Sequence, residues 1–158
     1  MPSDYRVRPA SLDDAGVLVR HRVAMFTDMG VPLDAATLDP AFRAWLAEMM
    51  PAGTYRAWLA ETVDGHSAAG GGITIIPWPP GPRYVGDRLA FVYNVYTEPA
   101  HRRRGLARLI MDTIHGWCRD EGITSMALNA SADGKPLYQA MGYAESPSPM
   151  MFFPLVRV

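Results

Sequence analysis

One cysteine, Cys118, and one lysine, Lys135, are all that 158 residues contain of either type. A single thiol excludes an intramolecular disulfide and any cysteine-rich metal site, and in an apolar helical setting it reads as a small packing residue. The four histidines, at 21, 66, 101 and 115, show no metal-ligand spacing, so no metal is expected. The scarcity of lysine leaves positive charge to arginine, whose planar fork holds phosphates and carboxylates bidentately. Excess charge is absent too: the net charge of −1 gives no global electrostatic case for nucleic acid or an anionic membrane as partner. Long apolar runs are missing. The longest uncharged stretch, Ser67 to Pro82, is broken by glycines and prolines and cannot span a bilayer. Met1 to Ala10 is polar and unlike a secretory leader, which makes the cytoplasm the expected location.

What remains is an ordinary globular composition, with 49% apolar and 20% charged residues. The length predicts a single domain over residues 1–158. Tyr5 to Arg8 reads as a short strand, and Ser11 opens a helix with Asp14 in the capping position. Leu18, Arg22, Met25 and Met29 run down one face of that helix, and Gly30 stops it. A second helix is expected to start at Asp39 with Pro40 as its first residue, and to end before Pro51. Thr54 to Val63 and Ala68 to Ile76 form a hairpin through Asp64-Gly65. Arg88 to Thr97 is the strongest strand. From Arg103 to Asp120, Leu106, Leu109, Ile110, Thr113, Ile114 and Trp117 recur at helical spacing. Ser125 to Asn129 reads as a strand, Lys135 to Met141 as a short helix, and Met150 to Leu155 as a final strand. Strands interleaved with helices define an α/β or α+β domain.

The chemistry concentrates at Arg102-Arg103-Arg104-Gly105-Leu106-Ala107, where a strand turns into a helix. Gly105 lets a ligand approach the backbone, and the first helical turn offers unpaired N–H groups at the positive end of the helix dipole. The three arginines add charge-assisted contacts. On charge alone the same loop also reads as a solvated basic turn. It is neither a Walker loop, lacking Gly-Lys-Ser/Thr, nor a dinucleotide fingerprint.

Asn94 to Pro99, followed by Ala100, His101 and Arg102 to Ala107, resembles the central strand and loop of the GNAT superfamily of acyl-CoA N-acyltransferases, whose signature is Q/R-x-x-G-x-G/A with a proline three residues before it. Leu137-Tyr138-Gln139-Ala140-Met141-Gly142-Tyr143 resembles that family's L-Y-x-x-x-G-F/Y segment and follows in the right order. The resemblance covers the C-terminal half; the N-terminal half agrees in its order of helix, helix and hairpin. It implies a mixed central sheet of six to seven strands flanked by about four helices, splayed between the central strand and the next.

The resemblance also implies acetyl-CoA as co-substrate and direct attack by an amine in a ternary complex. Val95 and Thr97 would offer backbone groups to the pantetheine arm, and backbone N–H groups from Arg103, Arg104, Gly105, Leu106 and Ala107 would take the pyrophosphate with Arg102 beside them. Asn129 would flank the pantetheine. An N–H near Val95 to Tyr96 would hold the oxyanion, and Tyr138 would protonate the departing thiolate, its phenol near ~10 lying close enough to a thiol near ~8.5 to exchange a proton. The general base stays open among Glu98, Asp28, Glu61 and Asp87, because Asn94 and Asn129 stand where many family members carry a titratable residue on the splayed strands. Met25, Phe26, Met29, Trp45, Trp78 and Tyr93 are candidates for an apolar acceptor slot or for ordinary core. The acceptor would be a small-molecule or peptide amine, and homodimers are common among such proteins. Two readings compete: a non-catalytic acyl-CoA-binding or regulatory domain of the same fold, and a basic nucleic-acid module built on Arg102, Arg103, Arg104 and Arg108, which the net charge opposes.

Overall fold

Alternation along Tyr55–Thr62 decides how the layers form. In the computed structural model, which describes residues 2–156, this segment is strand β2: Tyr55, Ala57 and Leu59 face one core, while Trp58 and Ala60 face another. The sheet runs in the order β1 (Tyr5–Pro9), β2, β3 (Ser67–Pro77), β4 (Arg88–Thr97) and β5 (Met126–Leu128). Neighbours are antiparallel except β4 and β5, which are parallel. Helices α1 (Ala15–Asp28) and α2 (Ala35–Met49) cover the first face and bury Leu18, Val19, Phe42 and Leu46. Helix α3 (Leu106–Asp120) covers the second with Leu106, Ile110, Met111, Ile114 and Cys118, and the short α4 (Lys135–Ala140) adds Tyr138.

Two glycines of β3 permit this close packing. A Cβ on Gly71 would lie 2.8 Å from the Ile110 side chain, and one on Gly72 would lie 2.3 Å from the Tyr55 hydroxyl and 2.8 Å from the Arg56 carbonyl. Neither site has room for one more carbon.

The first helix begins as the sequence suggests: Ser11 caps a 3-10 turn at Leu12–Asp14, and the Asp14 carboxylate accepts from the Ser11 N–H at 2.8 Å, closing a capping box. Three expectations are corrected. Helix α2 starts a turn before Asp39, because Asp34 accepts the Ala36 N–H and the Thr37 hydroxyl. Pro40 therefore lies inside the helix, and Asp39 pairs with Arg43 one turn on. The sheet holds five strands among the described residues, not six to seven. Met150 to Leu155 forms no strand: Pro149 and Pro154 withhold donors, no ladder partner lies alongside, and Phe153 is 85% exposed. Among the described residues no helix is long and apolar enough to cross a membrane.

Candidate active site

Strand β4 loses one neighbour partway along. Its pairing with β5 runs through Ala90–Met126, Phe91–Ala127 and Val92–Leu128 and stops there, while β4 continues to Thr97. On the other edge the ladder with β3 skips: Gly70 faces Tyr96 and Gly72 faces Tyr93, so Asn94 and Val95 together oppose Gly71. This is a β-bulge, with Asn94 in the left-handed region at φ 60°. Past Val92, β4 has no β5 residue beside it, and the bulge redirects its backbone there. Val95 packs its side chain toward α3, leaving its backbone at the open edge.

A polar chain holds the bulge from the α1–α2 side. The Asn94 amide donates to the Tyr55 hydroxyl at 2.8 Å, and Arg22 Nη1 donates to Asn94 Oδ1 at 2.6 Å. The Arg22 guanidinium lies 4.8 Å from the Phe26 ring centroid and 5.0 Å from that of Phe42. Burial pushes the Tyr55 phenol up to about 12 and lowers Arg22 below the usual guanidinium value. Sequence periodicity put Arg22 on an apolar stripe and missed this role. Asparagine's tolerance of positive φ was the one local signal at Asn94.

Beyond β4, Glu98 gathers three partners from two segments, helix α1 and the turn before β3. It accepts from Arg20 at 3.0 Å, His21 Nε2 at 3.2 Å and His66 Nε2 at 2.6 Å. Burial alone would raise its carboxyl, but these donors outweigh it and take the group down to about 2. The Tyr5 hydroxyl bonds His101 Nδ1 at 2.9 Å and accepts from Arg104 at 3.3 Å. Spacing along the chain gave the histidines no metal pattern, yet folding brings ligand atoms of His66, Glu98 and His101 within 4.8 Å of one another.

Pro99–His101 forms a 3-10 turn, Arg103 adopts φ 62°, and Gly105 caps α3 at φ 78° without any side-chain cap. The first bond of the helix runs from Leu109 N–H to the Gly105 carbonyl at 3.0 Å, so the N–H groups of Leu106, Ala107 and Arg108 have no helical acceptor. Arg102 turns away from this cradle: its Nε donates to the Thr97 carbonyl at 3.0 Å, its Nη2 pairs with Asp28, and it lies 5.6 Å from the Tyr96 ring centroid.

Tyr138 is half-buried on α4, edge-on to Tyr143 at 5.8 Å, and burial raises its phenol. Among the described residues its hydroxyl has no hydrogen-bond partner, whereas the Tyr143 hydroxyl bonds His115 Nε2 at 2.7 Å. Asn129 follows β5 directly and is exposed. The candidate bases are committed elsewhere: Asp28 to Arg102, Glu61 to Arg8, Glu98 to its histidines and Arg20. Asp87 precedes the far end of β4. The apolar slot does not form as one wall, since Trp45 packs between Phe42 and Tyr55 and Trp78 stands 48% exposed. A cavity of about 430 Å³ runs between α1 and α2, and no β4 residue lines it.

A bulged strand that outruns its parallel neighbour and is followed by an uncapped helix N-terminus places this chain among the acetyltransferases of one fold family. Residues 24–143 match the family model for the acetyltransferase (GNAT) family, and the chain belongs to that family. It is similar to a GCN5-related N-acetyltransferase from Ralstonia eutropha JMP134, with 35% identity, 96% of this chain and 98% of that one covered, and a TM-score of 0.85. A predicted acetyltransferase from Clostridium acetobutylicum, solved with acetyl-CoA, is 24% identical over 94% of this chain and 96% of that one, with a TM-score of 0.85. An aminoglycoside N-acetyltransferase in complex with CoA shares the fold at 17% identity, covering 96% and 95%, with a TM-score of 0.74. No curated protein sequence matches the chain.

Proposed function

We propose that the chain transfers an acetyl group from acetyl-CoA to a primary amine, by direct attack within a ternary complex. The observation that carries this reading is the free edge of β4: past Val92 it has no β5 partner, and its bulge leaves the backbone around Val95 available to an extended ligand. Val95 and Thr97 would bond the pantetheine arm through their backbones, with Asn129 across the splay. The N–H groups from Arg103 through Arg104, Gly105 and Leu106 to Ala107 would take the pyrophosphate at the uncapped start of α3. Arg102, tied to Thr97 and Asp28, would fix the path of the loop, and Arg103 would add charge from the side.

For the transfer, an N–H at Val95 or Tyr96 would stabilise the oxyanion. The amine nitrogen bonds the carbonyl carbon, the carbon–sulfur bond breaks, Tyr138 passes its proton to the thiolate, and the proton the nitrogen loses goes to water, from which the phenolate is reprotonated. The unpartnered Tyr138 hydroxyl, with its phenol held protonated by burial, suits a donor. With Glu98 held near 2 and Asp28 and Glu61 paired to arginines, the amine would arrive as free base from water. The acceptor class is a small-molecule or peptide amine, and the compartment is the cytoplasm.

Incubation with acetyl-CoA and amine pools, followed by free thiol and product mass, tests the reading. Thiol release that depends on an amine supports it. Stabilisation by acetyl-CoA without release from any amine overturns it in favour of a non-catalytic CoA-binding domain.

A further inference from the structure

Arg22 stands apart from the other arginines around the site. Arg8 pairs with Asp14 and Glu61, Arg20 with Glu98, and Arg102 with Asp28, while Arg103 and Arg104 have no carboxylate partner among the described residues but are exposed to water. Among the described residues no carboxylate pairs with Arg22, although its charge is half-buried at the bulge. Its Nη1 is used by Asn94 Oδ1, and its Nε is buried with no partner among the described residues. Phe26 and Phe42 pack against the guanidinium, and the Tyr55 and Tyr93 phenols lie near enough to act on it. Rings and amides orient a cation but do not neutralise it. A charge taken from water without a counter-ion is costly, and a fold retains one where a ligand supplies the opposite charge.

The position says which ligand. Arg22 bonds the side chain of Asn94, the residue before Val95, and so flanks the point on β4 where the proposed function puts the acetyl carbonyl. The free edge of a guanidinium matches the two oxygens of a carboxylate. We propose that Arg22 binds a carboxylate of the acceptor, so that the amine acetylated by this chain carries a carboxylate within a few bonds of its nitrogen. The inference rests on the acetyltransferase reading. The balance is unchanged: the amine nitrogen gains the acetyl group, CoA leaves as the thiol, and the carboxylate stays intact as an anchor.

Matched acceptors test it: amino acids, each beside its own amide and its decarboxylated amine, with acetyl-CoA present. The expected result is at least a ~10-fold higher kcat/KM for the acid than for its amide, since a site built to bond a polar group discriminates strongly against its loss. The amide's amine is the less basic and more of it is free base, which biases the comparison against the proposal. Arg22→Gln raises KM for the acid about 10-fold or more beyond any effect it has on the decarboxylated amine, which also reads its hold on the bulge, while Arg22→Lys restores part of the preference. Equal use of acid and amide, or an Arg22→Gln loss that falls equally on all acceptors, overturns the carboxylate site and leaves the acetyltransferase reading intact. A readout without turnover separates the two further. With CoA present, an N-acetylamino acid shifts the melting temperature more than its amide does, and Arg22→Gln abolishes the difference; equal shifts overturn the proposal. Absence of both acetyl-CoA binding and thiol release overturns the acetyltransferase reading, and the melting-temperature comparison of an N-acetylamino acid with its amide, which needs no turnover, still decides the Arg22 site.

Discussion

The Asn94 side chain reaches across the sheet to the buried Tyr55 hydroxyl at 2.8 Å, from a backbone held at φ 60°. Backbone and side chain thus depend on each other. Tyr55→Phe leaves the Asn94 amide without that acceptor in a half-buried setting, and the expected loss is about 1–3 kcal/mol of stability by urea unfolding. Asn94→Gly keeps the backbone at ease and folds, whereas Asn94→Val combines lost bonds with a β-branched residue at positive φ and falls below it. Equal stability of the two Asn94 variants would show that the bulge does not require left-handed backbone.

Much of the site was legible in the sequence because its signals are local. The bounds of β4 coincide with the strand expected over Arg88 to Thr97, and Gly105 sits at the helix start as the loop pattern suggests. The family resemblance rested on those residues and on Leu137 to Tyr143. The Arg22–Asn94–Tyr55 chain was not legible, since its members lie 72 and 39 residues apart and two of them stand in otherwise apolar patterns. The gathering of Arg20, His21 and His66 on Glu98 was hidden for the same reason. The missing final strand is the opposite case: Met150 to Leu155 has strand composition, but a strand also needs an edge to pair with.

Gly72→Ala has no easy escape. The new methyl would meet the Tyr55 ring and the Arg56 carbonyl, and the carbonyl belongs to the paired backbone of β2. A loss of about 1–3 kcal/mol or more is expected by thermal or urea unfolding, with no rescue from Tyr55→Phe. Rescue by that second change would mean the ring alone sets the limit.

Cys118 is 1% exposed, and burial pushes its thiol up to about 11. The native protein should therefore react with a disulfide reagent at pH 8 far more slowly than the unfolded chain. Thiol released in turnover assays then reports CoA without background from the protein. Reaction of the folded protein at the unfolded rate would contradict the packing of α3.

Acid should act through Asp14. Its carboxyl lies below the usual value chiefly because Arg8 donates to it, with burial opposing. A lowered folded value means that this stabilisation is present above the unfolded value of about 3.9 and fades as pH falls through the folded one. Asp14→Asn is expected to be less stable than the wild type at pH 7, and the gap should close from about pH 4 downward. A gap that stays constant to pH 2 would assign the effect to the capping geometry alone.

Tyr138→Phe separates catalysis from folding. The hydroxyl bonds nothing among the described residues, so its removal costs little stability, and the ring keeps its contact with Tyr143. Turnover should fall by about 10²–10⁴-fold, in the range of general acid catalysis, while the acetyl-CoA dissociation constant stays within a few-fold. Unchanged turnover would remove Tyr138 as the acid.

The loop offers the sharpest test of backbone against charge. Gly105 caps α3 at φ 78°, and Arg103 is held at φ 62° although it has a side chain. Gly105→Glu adds a Cβ in the left-handed region and sets a negative charge among the N–H groups proposed for the pyrophosphate, so acetyl-CoA binding by calorimetry should be lost. Arg103→Ala keeps the backbone and removes one exposed charge, which should weaken binding several-fold and reduce its salt dependence. Arg103→Gly removes the same charge and eases the strained φ, so it should match Arg103→Ala if charge is all that the side chain contributes. Loss of binding in Arg103→Ala with retention in Gly105→Glu would put the recognition in the arginine side chains instead of the helix start.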